Sequence, residues 1–109
     1  MTSVTETVLT VARNAIVHTG WCQLRDLRRV DGEVVEYCAL GAIYVAASVF
    51  SRADRIEAVR RLAGTLTGRN IGSALGGQAI VDWNDEPGRT PQEVIDLFDK
   101  AIIDVQGTA

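Results

Sequence analysis

Cys38 opens an uncharged run, Tyr37-Cys38-Ala39-Leu40-Gly41-Ala42-Ile43-Tyr44-Val45-Ala46-Ala47-Ser48-Val49-Phe50. A thiol in the first turn of a helix meets free N–H groups and the positive end of the helix dipole, which favour the thiolate. With His18, the single histidine, as base, and Asn84 or Asp85 to orient the imidazole, the residue types of a Cys-His-Asn/Asp nucleophilic site are present. Cys38, His18 and Asp85 are therefore the catalytic candidates. Such residues meet in space and not along the chain, so their spacing fixes nothing. The competing reading is favoured: free cysteine commonly fills cores as a small hydrophobe, and a histidine at a helix end commonly meets the last carbonyls.

A second constellation lies in Asp82-Trp83-Asn84-Asp85-Glu86-Pro87-Gly88-Arg89. As a binding site, Asn84 and Asp85 would read a ligand between the indoles of Trp21 and Trp83, with Cys38 beside them and Arg89 as an anion contact. As architecture, Asn and Asp ahead of Pro-Gly are turn builders, and Trp83 covers the core. The architectural reading is the stronger one. No metal is expected, because two cysteines sixteen apart and one histidine match no zinc spacing. No nucleotide cofactor is expected either, since Gly76-Gly77 belongs to neither a Walker nor a dinucleotide fingerprint. Arg52, Arg55, Arg60 and Arg61 form a basic stripe interleaved with Asp54 and Glu57. That is either a solvated face laced by pairs three or four apart or a partner surface.

Composition bounds the function classes. The 109 residues, 47% hydrophobic and 23% charged, suit one globular domain over 1–109. A net charge of −3 argues against nucleic acid as a partner, because phosphate affinity comes from accumulated Lys and Arg. Charge is segregated: residues 1–69 hold nine Arg against seven acids, and residues 70–109 hold Arg89 and Lys100 against seven acids. The uncharged run is shorter than the about 20 apolar residues that a bilayer span needs. The N-terminus lacks the charged, apolar and small-residue order of a signal peptide. A cytoplasmic location is expected, with Cys22 and Cys38 as free thiols.

Several elements must position these groups. Ser3-Val4-Thr5-Glu6 has the form of a capping box, and apolar residues at helical spacing run on to His18-Thr19-Gly20. Asp31-Gly32 between apolar-alternating flanks predicts a hairpin-like excursion over 22–36. The uncharged run predicts a helix over 37–50 with no solvent face, wrapped by the rest. Ser51-Arg52-Ala53-Asp54 starts a further helix ending near Gly68. Residues 69–81, with three glycines, read as either a short helix or a loop. Thr90-Pro91-Gln92-Glu93 joins a capping box to proline at the first helical position and opens the terminal helix.

Gly20-Trp21-Cys22, Tyr37-Cys38-Ala39-Leu40-Gly41-Ala42-Ile43, and Ile80-Val81-Asp82-Trp83-Asn84-Asp85 with Gly88-Arg89-Thr90 and Glu93-Val94 together resemble a family of small uncharacterised proteins of actinobacteria and their phages. The resemblance implies that source and a compact helical domain, and it implies no activity. In this reading Gly41 and Ala42 permit close helix crossing, and Trp-Asn-Asp closes the last loop.

The expectation is an all-α fold: a compact bundle of about four helices around the central apolar helix, with the hairpin-like excursion before it. The leading functional expectation is a non-catalytic accessory protein that binds a protein partner. The alternatives are a small-molecule or cysteine-dependent hydrolytic site around Trp21, Cys38, Trp83, Asn84 and Asp85, and a homodimeric structural module.

Overall fold

A computed structural model describes residues 2–108. Among them the order is α1 (Val4–His18), β1 (Leu27–Val30), β2 (Glu33–Tyr37), α2 (Ala39–Ala46), a 3-10 turn (Ala47–Val49), α3 (Arg52–Thr67), α4 (Gly72–Asn84) and α5 (Pro91–Gly107). The fold is mostly helical with one small antiparallel hairpin.

The helix starts form where short-range chemistry dictates. Ser3 Oγ accepts from Glu6 N–H at 3.1 Å. Ser51 and Asp54 close a reciprocal capping box at 3.0 and 3.1 Å. Thr90 and Glu93 close another at 3.0 and 3.2 Å, with Pro91 in the first turn. The Thr90 N–H bond and the Arg89 guanidinium hold the Glu93 carboxyl below its ordinary range. Asp31 and Gly32 take φ of 51° and 83°, the left-handed pair that a tight hairpin turn requires.

Two features of the central segment differ from expectation. The helix is shorter than 37–50: Tyr37 ends β2 and Cys38 is an extended N-cap residue with ψ of 169°. Tyr37 cannot join the helix because its amide donates to Gly20 O at 2.9 Å and its carbonyl accepts from Cys22 N–H at 3.0 Å. Residues 20–22 thus lie along β2 as a parallel bridge centred on Trp21 and Tyr37. The helix also has a solvent face. Ala39, Gly41, Ala42, Ile43 and Ala46 are buried, whereas Tyr44, Val45 and Val49 are 49%, 42% and 82% exposed. The helix packs against α1, α3 and α4, and those contacts cover one side of it.

The glycine-rich segment is α4. Its Gly76 lies against α3 so closely that a Cβ there would stand 2.8 Å from the Ala63 Cβ. The helix runs through Trp83 and Asn84, and Asp85 N–H still donates to Val81 O at 2.9 Å. Trp83-Asn84 is accordingly the last turn of a helix and not a loop. Phe98, Leu9, Ile43, Leu62, Ile80, Val8 and Val94 are the largest apolar side chains fully enclosed between the helices.

Candidate functional site

Asn84, the last residue of α4, is fully buried. Its Oδ1 accepts from the Trp21 indole Nε1–H at 2.7 Å and from Ala39 N–H at 2.9 Å. Its Nδ2 donates to Cys22 O at 3.1 Å and to Asp85 Oδ1 at 3.0 Å. Two donors on one side and two acceptors on the other fix the amide orientation and use its full capacity. Asp85 Oδ1 also accepts from Leu24 N–H at 2.8 Å, and Gln23 Nε2 donates to Asn84 O and Glu86 O, each at 3.0 Å. One buried amide therefore ties the 21–24 loop to the start of α2 and the end of α4.

The start of α2 has little left to offer a ligand. Ala39 N–H is taken by Asn84, and Gly41 N–H donates to Cys38 Sγ at 3.2 Å. Burial pushes the Cys38 thiol up; the Gly41 N–H opposes that, and the charges of Asp26 and Asp85 add to it. The dipole effect expected at this position is outweighed by burial. Cys22 is pushed up to about 11 by burial first, then by Cys38 and Glu36, with Arg25 and Arg28 opposing. Both thiols are buried and free.

A direct expectation follows, because the thiolate is the reacting species. At neutral pH an aromatic disulfide reagent should leave Cys22 and Cys38 unmodified in the folded protein and titrate both after denaturation. Rapid native labelling of Cys38 would contradict this arrangement. In an alkaline titration, the part of the stability owed to the protonated Cys22 thiol is fully present below the unfolded-state value near 9.0 and is lost as pH rises through about 11.

The remaining candidates fall elsewhere. His18 is exposed in the last turn of α1, and among the described residues it makes no hydrogen bond to Cys38. The Ala15 carbonyl that it could have capped is taken by Thr19 N–H at 2.9 Å. Trp83 carries the Arg89 guanidinium 4.1 Å above its ring. Arg89 also donates to Trp83 O at 3.0 Å and pairs with Glu86 and Glu93 at 2.8 and 2.9 Å. These contacts fold the 85–90 segment back on α4 and occupy the guanidinium. Cys38 and Asp85 line a cavity of about 170 Å³ with Leu24, Arg25, Asp26 and Val81. Trp21, Cys38, Asn84 and Asp85 thus come together, and Trp83, Arg89 and His18 do not join them. Among the described residues no group of three or more His, Cys, Asp or Glu could hold a metal ion.

The basic stripe divides. Arg60 pairs with Glu57 at 2.6 Å, and Arg61 donates to Thr108 Oγ1 at 2.8 Å. Arg52 and Arg55 make no ion pair among the described residues, and Arg55 lies 4.8 Å over the Tyr44 ring. Beside Tyr44 is a cavity of about 280 Å³ lined by Asp26, Leu27, Leu40, Gly41, Tyr44 and Val45. Tyr44 also lines a second cavity, of about 160 Å³, with Arg52, Arg55, Ile56 and Val59. Sequence reasoning named the arginines of this face as a candidate partner surface and missed its apolar half, because the uncharged run reads as buried on every side. The available signal was the position of Tyr44, Val49 and Phe50 immediately before an arginine-bearing helix.

No helix among the described residues is long and apolar enough to cross a membrane. No curated protein and no solved structure matches the chain. A family model does match it, over residues 1–104, and the chain belongs to that family of unknown function, DUF6197.

Proposed function

We propose that this chain is a single-domain accessory protein of an actinobacterium or one of its phages, working in the cytoplasm by binding a protein partner and not by catalysis. The observation that carries this reading is the face formed by the end of α2 and the start of α3. There Tyr44, Val45, Val49 and Phe50 are exposed in near succession, beside Arg52 and Arg55, which make no ion pair among the described residues. Apolar area rimmed by unpaired charge is the usual composition of a protein interface. The polar cluster around Asn84 supports catalysis less well, since its hydrogen bonds are spent on the fold.

The test is site-specific photo-crosslinking in the cells that encode the protein. A photoreactive residue at Val45 or Val49 should give a discrete adduct with another protein, and the same residue at Gln92, on α5, should not. Adducts only at twice the 11.8 kDa chain mass would replace this reading with a homodimer. Absence of any adduct at either position would overturn it.

A further inference from the structure

The two cavities that share Tyr44 differ in charge, and the difference describes what would fill them. The larger, about 280 Å³, is walled by Leu27, Leu40, Tyr44 and Val45, and Asp26 is its one charged lining residue. The smaller has Arg52 and Arg55 as its charged lining residues. Among the described residues neither arginine makes an ion pair: Asp54, the nearest acid in sequence, turns its Oδ2 to the Ser51 amide and hydroxyl at 3.0 and 2.8 Å. The Arg55 guanidinium rests on the Tyr44 ring, so the ring sets its position while its N–H edge stays available for a carboxylate.

Resting on the docking reading above, we infer that the partner presents a short acidic segment in which an Asp or Glu stands next to a large aliphatic or aromatic side chain. The apolar side chain fills the larger cavity, which is below the size of a drug-sized ligand pocket. The carboxylate pairs with Arg52 and Arg55. Asp26, which lines the larger cavity and not the smaller, repels acid there and fixes the direction in which the segment lies. Specificity thus comes from a charge gradient across Tyr44.

The experiment selects a randomised dodecapeptide display library on the immobilised full chain and measures the enriched peptides by fluorescence anisotropy. They are compared on the parent protein, on Val45→Asp, on the double variant Arg52→Glu and Arg55→Glu, and on the milder Arg52→Gln and Arg55→Gln pair. Melting temperatures establish that each variant is folded. The expected result is enrichment of Asp or Glu beside Leu, Ile, Phe or Trp, binding weakened about tenfold or more by the glutamate pair and less by the glutamine pair, and binding lost in Val45→Asp. Peptides with no acidic preference that bind through Val45 and ignore the arginine variants would overturn the acidic partner while leaving the docking face intact. Peptides indifferent to every variant, or a library without binders, would overturn the inference. In the first of those cases the docking face falls with it.

Discussion

Asn84→Ala should remove roughly 3–5 kcal/mol of stability, a value expected when a buried hydrogen-bond network loses its hub. Truncation leaves the Trp21 indole N–H, the Ala39 amide and the Cys22 carbonyl without the partners they have at 2.7, 2.9 and 3.1 Å. Each orphaned buried group costs about 1–3 kcal/mol, against a total of about 5–15 kcal/mol for a domain of this size. Urea denaturation followed by tryptophan fluorescence reads the change. Asn84→Asp sharpens the argument, because the shape is kept and only the donor is lost. A carboxylate oxygen would then face Cys22 O and the Asp85 carboxylate. The new group would ionise with difficulty in the folded state, so the deficit should be large near neutral pH and shrink as pH falls and a proton restores the donor. A loss of a few tenths of a kcal/mol for Asn84→Ala would show that the amide is not what ties these segments.

Gly41→Ala should be comparably damaging, although alanine is favoured over glycine in a helix interior by about 1 kcal/mol. A Cβ at Gly41 would stand 2.0 Å from Asp26 O and 2.8 Å from its carbonyl carbon. Both are backbone atoms, and no side-chain rotation relieves the clash. The same Asp26 carbonyl accepts from Cys38 N–H at 2.9 Å, so moving the loop away breaks the bond that starts α2. A cost of roughly 3–5 kcal/mol is expected, at the upper end of overpacking effects. Gly107→Ala is the control: nothing lies within 4 Å of its added Cβ, and it should leave the denaturation midpoint unchanged or slightly raised. Equal behaviour of the two variants would refute the close approach of the 26 loop.

Gly41 also shows where the sequence stops being legible. A small residue in the first turn of an apolar helix suggests a helix crossing, yet what approaches it is the backbone of the loop before β1. Capping boxes at Ser51 and Thr90 and the Asp31-Gly32 turn are readable because their partners lie within three residues. The α4 helix is not, since Gly76 is explained by Ala63 on another helix, and glycine alone argues for a loop. For the candidate site, Trp21, Cys38, Asn84 and Asp85 could be singled out by type. Their arrangement could not be, because Asn84 takes its partners 45 to 63 positions away. Arg52 and Arg55 look like Arg60 and Arg61 in sequence, and only the placement of Glu57 and Thr108 separates the bonded pair from the two without a hydrogen-bonded side-chain partner among the described residues.

The reach of Asn84 has a kinetic consequence. Contacts that close loops of 45 to 63 residues carry a large ordering cost and form after the local ones. The α3–α4 pair, adjacent in sequence, can assemble first, whereas the two-stranded hairpin is marginal without support. A bond that closes after the rate-limiting step governs escape from the native state more than arrival there. Asn84→Ala is accordingly expected to shorten the lifetime of the folded chain more than it slows refolding, a split that the two arms of a denaturant rate profile read.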